Sequence, residues 1–323
     1  MTLLQTRYQS LSYLSAMSLS CFQRILIGFC TACLVTWGLT ACGNLNMRCD
    51  GGGKGGSCYM VDGPPDRHTR TAYQPPWSDE YHDLADRRSD VNEHLLEVTN
   101  ETRQKEGIPV VKEDPTLAQN ACWHNQDMIA HNYLGHNDSD DRMPWDRVQR
   151  EHRRLIGEAS ENAHSRAATS GRAPRDMAEM VVDSWMKSPG HRETLMEAKW
   201  THLGVCLSES EHTSRATQVF ARVQAYLADP LPWAMAPGES TTVRLSLVVA
   251  ERKPTRYAFV PVGQPTYKTF RRPSAGQPFD GTLTVPSTTG TYELHVQIPD
   301  DDGGAEAFKG PRVEVTSDGE PTY

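Results

Sequence analysis

At 323 residues with 37% hydrophobic content, the chain is longer than one ordinary core absorbs, and about two domains plus extra segments are expected at roughly 150 residues per domain. Lys and Arg total 33 against 41 Asp and Glu, a formal charge of −8, so no global basic field favours nucleic acid or anionic lipid. Gly at 24 and Pro at 21 are near average usage, which excludes a collagen-like or wholly disordered chain.

The long apolar run, Ile25 to Ala41, follows Arg24, the order of an n-region and an h-region in a signal peptide. It reaches the lower length limit for a membrane-spanning helix, about 17 residues, which leaves an uncleaved anchor as the alternative. Leu39-Thr40-Ala41-Cys42 followed by Gly43 resembles the bacterial lipobox. That resemblance implies that residues 1–41 are a lipoprotein signal peptide and that diacylglycerol on Cys42 tethers the mature chain to a membrane. A buried cysteine in a core helix is the plainer alternative, although Gly-rich sequence follows at once. The stretch ahead of Arg24 is long for an n-region, so Met17 is a candidate start beside Met1. The expected location is extracytoplasmic, periplasmic or on the outer surface. Of 8 cysteines, Cys21, Cys30 and Cys33 fall in the removed segment and Cys42 would carry the lipid, leaving Cys49, Cys58, Cys122 and Cys206 able to form two disulfides in an oxidising compartment. Cys49 and Cys58 bracket a glycine loop flexible enough to close; an unpaired pair is the alternative.

Residues 42–90 combine Gly, Pro and charge without sustained periodicity and read as a tether. From Val91 to Glu106, Val91, Leu95, Val98 and Thr102 share a helical stripe, and Gly107 supplies a stop. Asp114-Pro115 offers an N-cap followed by Pro at the first helical position, with Leu117, Ala121, Asn125 and Met128 continuing one face to about His131. Arg175 to Lys187 groups Met177, Met180, Val181 and Trp185 into a third amphipathic helix. Leu203, Val205 and Leu207 alternate, as do Val219, Ala221 and Val223, predicting strands and an α+β or layered domain over 91–228. After Asp229-Pro230, alternating runs at 243–249, 256–262, 281–285, 291–298 and 312–316 predict a small antiparallel sandwich over 229–323. Gly290-Thr291-Tyr292 resembles the closing strands of immunoglobulin-like accessory domains, and this part reads as a spacer or docking module.

Across residues 91–225 a more specific pattern emerges. Asn100 and Arg103, Gly107-Ile108-Pro109-Val110, Asp114, Leu117, Ala121, His124 and Asp127 are followed in order by Tyr133, His136, Pro144, Asp146, Arg147 and Glu161-Asn162. Trp185-Met186, Ser188-Pro189-Gly190-His191-Arg192, Gly204-Val205 and Val219-Phe220 complete it. In order and spacing this resembles the CAP superfamily, or SCP domain, in its bacterial form. The resemblance implies a three-layer α-β-α sandwich whose cleft gathers His136, Glu161 and His191, with Asn162 and Ser188 beside them. Two neutral imidazoles and a carboxylate are a ligand set that catalytic zinc sites use, so His136 and His191 are candidate metal ligands for Zn or another divalent cation. Without metal, Glu161 could hold a histidine in one tautomer for proton transfer. A purely structural polar cleft is the third reading.

Departures from the family pattern matter. Ser160 rather than Gly precedes Glu161, and Gly157-Glu158 lies three residues earlier without the Asn. Ser188 stands where eukaryotic members carry a second Glu, which removes a carboxylate and points to loose, exchangeable metal binding. Cys122 replaces a small residue and Cys206 the second glycine of a Gly-Val-Gly strand, so the two could pair if the second helix packs on that strand; two separate buried thiols are the alternative. His124 and His131 read as solvated or partly buried side chains. Asp138, Asp140 and Asp141 lack the Gly and Glu of an EF-hand loop. No nucleophile elbow, phosphate loop or HExxH helix is present. The expected function is a lipid-anchored cell-envelope binding or interaction module, with a lipid or envelope ligand and no nucleic acid. A metal-assisted or His/Glu-dependent hydrolase acting on peptide or cell-wall material is the rival.

Overall fold

The computed structural model describes residues 47–49, 58–60, 86–168, 171–272 and 275–322, with only the backbone of 47–49, 58–60 and 86. The expected signal segment 1–41, Cys42 and most of the expected tether lie outside the described residues. The chain divides into two compact units at residues 64 and 65. In the first, β1 (Met47–Cys49) pairs antiparallel with β2 (Cys58–Met60), placing Cys49 and Cys58 at opposed register positions; their side chains are outside the described residues.

The second unit begins with a short strand β3 (Asp86–Arg87) and helix α1 (Ser89–Lys105), so ordered elements start within the last residues of the expected tether. A short β4 (Lys112–Glu113) leads to α2 (Pro115–Ala130). Asp114 caps α2, its carboxylate accepting from the backbone of Thr116 at 2.9 Å and Leu117 at 3.0 Å, as the Asp-Pro signature predicts. Then follow α3 (Pro144–Glu151), the long strand β5 (Leu155–Ala167), α4 (Pro174–Lys187), α5 (Pro189–Met196), β6 (His202–Glu209) and β7 (Thr213–Leu227). The sheet order is β5-β7-β6-β3 with antiparallel pairing, and β4 adds in parallel to β6.

Strand alternation puts successive side chains on opposite faces, and each face has its own core. Leu203, Val205, Leu207 and Phe220 pack with Val91, Leu95 and Val98 of α1 and Met177, Val181 and Trp185 of α4. Cys206, Val219, Ala221 and Val223 pack with Leu117 and Ala121 of α2 and Val148 of α3. The result is an α-β-α sandwich. At Gly204 the strand lies against α2: an added Cβ would stand 2.1 Å from Leu117 C and Ala118 N, so only glycine allows this approach. Beside it Cys122 of α2 and Cys206 of β6 form a disulfide with Cα atoms 5.1 Å apart, closing the alternative of separate thiols.

The C-terminal residues build a mostly β body from β8 (Ala234–Met235), β9 (Ser240–Thr242), β10 (Leu245–Leu247), β11 (Arg256–Pro261), the one-turn helix α6 (Thr266–Thr269), β12 (Gln277–Pro278), β13 (Thr282–Thr284), β14 (Gly290–Pro299) and β15 (Ala305–Val315). This small β body is also joined to the first half of the unit. The main sheet β12-β11-β14-β15 continues into β5 through Lys309 opposite Gly157, and β10 pairs with the end of β7. Of the expected strand at 243–249 only Leu245–Leu247 forms, paired with β7, while Ser240–Thr242 just before it pairs with β13. Ile156, Ala225 and Leu227 from the first half enter the C-terminal core with Leu283, Leu294 and Val313.

Candidate functional site

A cleft of about 480 Å³ opens along the sheet edge at β5, between the two helical layers. Its floor is Ala159 to Asn162. One wall is His136 with Met143, Pro144 and Trp145 at the start of α3, and the other is Ser188, Gly190, His191 and Thr194 at the start of α5. The residues singled out from sequence, His136, Glu161, Asn162, Ser188 and His191, thus all line one cavity although they come from a loop, a strand and a helix.

Glu161 is the hub. Its side chain is fully buried; Oε1 accepts from His136 Nδ1 at 2.9 Å and Oε2 accepts from Arg147 Nη2. The His124 Nε2 atom lies 3.6 Å from Oε1, beyond hydrogen-bond range, and donates instead to the Gly135 carbonyl at 2.8 Å. Arg147 also donates through Nη1 to the carbonyls of His136 at 2.7 Å and Arg142 at 3.0 Å. One guanidinium therefore fastens the His136 loop to both α3 and β5. The same loop is tied down by two aspartates: Asp127 accepts from Ser139 N at 2.8 Å and Oγ at 2.6 Å, and Asp138 accepts from Arg142 N at 2.8 Å and Nε at 2.7 Å. The run Asp138, Asp140 and Asp141 is thus a turn, held by hydrogen bonds from its own backbone. On the other wall Asn162 Nδ2 donates to the His191 carbonyl at 3.0 Å and to Gln218 Oε1 at 3.3 Å.

Electrostatics separate the three histidines. Burial alone would raise the Glu161 carboxyl, but Arg147, His124 and His136 more than offset it and hold it below its usual range. The hydrogen bond to Glu161 raises the half-exposed His136 imidazole. Burial lowers His124, and burial together with the nearby His136 lowers His191. Around Glu161, one imidazole is thus made more basic and two less so.

His124 and Arg147 were not singled out as site residues from the sequence, although both belong to the family pattern. His124 is 1% exposed and Arg147 3%. The helical spacing of Arg147 with Val148 and Glu151 on the buried face of α3 is the signal that could have placed Arg147 inside.

The donor set fits a tetrahedral dication poorly. The charge of Glu161 is already compensated by Arg147, a buried cation that would repel a second one at the same carboxylate, so Glu161 serves to orient His136. Among the described residues no group of three or more His, Cys, Asp or Glu converges to hold an ion. Two imidazoles remain, with Nε2 of His136 the nitrogen left open by the bond at Nδ1.

An α-β-α sandwich with a His/Glu cleft at the sheet edge defines a CAP-type domain. Residues 96–224 match the model of the CAP family, described as the cysteine-rich secretory protein family. Residues 96–224 are thus a CAP domain, and two relatives that match this part come from Bacillus subtilis. It is 32% identical over 116 residues to the uncharacterized protein YkwD of Bacillus subtilis, covering 36% of this chain and 42% of that protein. It is 29% identical over 119 residues to the uncharacterized membrane protein YlbC of the same organism, covering 37% and 32%. The match thus spans less than half of either relative. Among solved structures, an outer surface protein of Borrelia burgdorferi is 17% identical with a TM-score of 0.37, covering 43% of this chain and 99% of that one. An extracellular protein containing a SCP domain from Bacillus anthracis is 24% identical with a TM-score of 0.36, covering 47% and 45%.

Proposed function

We propose that this protein is an extracytoplasmic CAP-domain binding module, anchored through a lipidated Cys42, whose cleft takes an amphipathic envelope ligand. The observation that carries this reading is the pairing of Glu161: with Arg147 on one oxygen and His136 on the other, the one acid of the cleft is charge-compensated and held below its usual range, so it orients an imidazole and is a poor base for proton abstraction. The imidazoles and Asn162 offer polar anchoring beside the apolar wall of Met143, Pro144 and Trp145, the mix expected of a small-ligand site. Export is supported by the Cys122–Cys206 disulfide, which belongs to an oxidising compartment. No described helix is long and apolar enough to cross a membrane, and the anchor assigned here is a lipid on Cys42.

The rival reading, a metal-assisted or His/Glu-dependent hydrolase, is tested by turnover. The purified chain, His136→Ala and His191→Ala are compared on peptide and cell-wall substrates with and without added zinc. No histidine-dependent turnover is expected; turnover abolished by either substitution overturns the binding reading. Chelation with EDTA should leave the thermal midpoint unchanged, because the Glu161 network is complete without an ion. A fall of more than about 2 °C, roughly the effect of 0.5–1 kcal/mol in a body this size, would show a structural metal. For the anchor, diacylglycerol labelling is expected in the wild type and absent in Cys42→Ser.

A further inference from the structure

The floor of the cleft is a strand edge. In an antiparallel ladder the N–H and C=O of alternate residues point to the same neighbour. The Ala221 carbonyl accepts from Thr201 N on the β6 side, and Ala221 stands opposite Ala159, so Ala159 turns its own N–H and C=O away from β7. Two further observations agree with this alternation. Gly157 pairs outward with Lys309 of β15, and the Ala163 carbonyl accepts from the Trp185 indole at 3.3 Å. Between them, the backbone groups of Ala159 and Glu161 face the cleft with no strand partner among the described residues.

The space beside this edge suits one more strand. β15 leaves β5 after the Lys309 pair, and the wedge between them, a depression of about 210 Å³, shares Trp145 and Ala159 with the main cleft. From Gly157 to Ala163 the edge measures ~20 Å at 3.3 Å per residue. Asn162, 0% exposed, lines the same cleft, and its Oδ1 has no hydrogen-bond partner. A fully buried, unpartnered carbonyl costs free energy and calls for an N–H donor from an occupant.

We infer that the cleft binds an extended peptide, which adds as a strand to β5 by hydrogen-bonding the backbone of Ala159 and Glu161, with its side chains alternating between the His136–Trp145 wall and the His191 wall. Main-chain bonding of this kind gives affinity, and the walls give specificity. The inference rests on the binding reading above and names the ligand class.

The test is an amide-resolved NMR titration of the intact chain with a random hexapeptide pool blocked at both ends, and with the same pool N-methylated throughout. The unmethylated pool should shift the Ala159 and Glu161 amides and slow their hydrogen exchange by about tenfold or more. The Ser160 and Asn162 amides, already bonded to β7, should change little, and the methylated pool should leave all four unchanged. In Ala159→Pro, which removes an N–H on the open side where strands tolerate proline, the peptide response should be lost with the thermal midpoint retained. No response at Ala159 and Glu161, equal response at all four amides, or equal binding of the methylated pool overturns strand addition. Histidine-dependent cleavage of peptides that still show the alternating pattern would instead overturn the binding reading and leave strand addition standing.

Discussion

Arg147 and Glu161 are a buried ion pair in which each partner has other duties, and removing one strands the other. Glu161→Gln leaves a guanidinium buried without its carboxylate, so a loss of about 3–5 kcal/mol is expected in urea unfolding, together with a fall in the His136 midpoint. The pH dependence follows from the direction of that midpoint. The folded His136 value is raised, so its bond to Glu161 contributes fully below the unfolded value, about 6.5, and the contribution is lost as pH rises through the folded value. In an NMR titration His136 should turn over above the ordinary imidazole value and His191 below it; the reverse order would contradict the Glu161 assignment. At this scale the sequence was only partly legible. His136, Glu161 and His191 lie far apart along the chain, and only the family resemblance joined them. Arg147 stayed hidden because arginine is ordinarily an exposed residue, and its interior position follows from the carboxylate it meets.

The three long helices were readable because each announces itself chemically, whereas β5, the 13-residue strand that floors the cleft, was not singled out. Asp114 before Pro115 marked the start of α2, and the Val91-Leu95-Val98 stripe marked α1. The two eight-residue helices, α3 and α5, carry too few turns to display a period, and their prolines at N1 read equally well as turns. The closeness of α2 to β6 yields two predictions. Gly204→Ala drives a methyl into the backbone of Leu117 and Ala118, so the helix must move, at a cost of about 1–3 kcal/mol or more, measurable by thermal unfolding. Replacing both Cys122 and Cys206 by Ala should lower stability by about 4–5 kcal/mol if chain entropy dominates, given a loop of 84 residues. A loss below about 1 kcal/mol would mean the unfolded chain gains little freedom from the break.

Across the whole second unit, the CAP domain and the C-terminal strands share a sheet and a core. Gln149 donates to the Gly310 carbonyl at 2.9 Å and Arg153 to those of Leu231 at 3.1 Å and Pro232 at 2.7 Å. Arg312 of β15 reaches both Asp146 of α3 and Glu293 of β14, next to the segment that walls the cleft. Composition could place a boundary near Pro230 but could not show pairing across it, because strand partners are chosen in space. Calorimetry of the intact chain should therefore give one cooperative transition for residues 86–322, and two separated transitions would show independent domains. The disulfide has a topological consequence as well. Its covalent ring runs from Cys122 to Cys206 and contains every side chain that lines the cleft, so a protease that nicks the backbone once inside that ring cannot release a fragment. The two pieces would stay joined and migrate apart only after a thiol reductant is added.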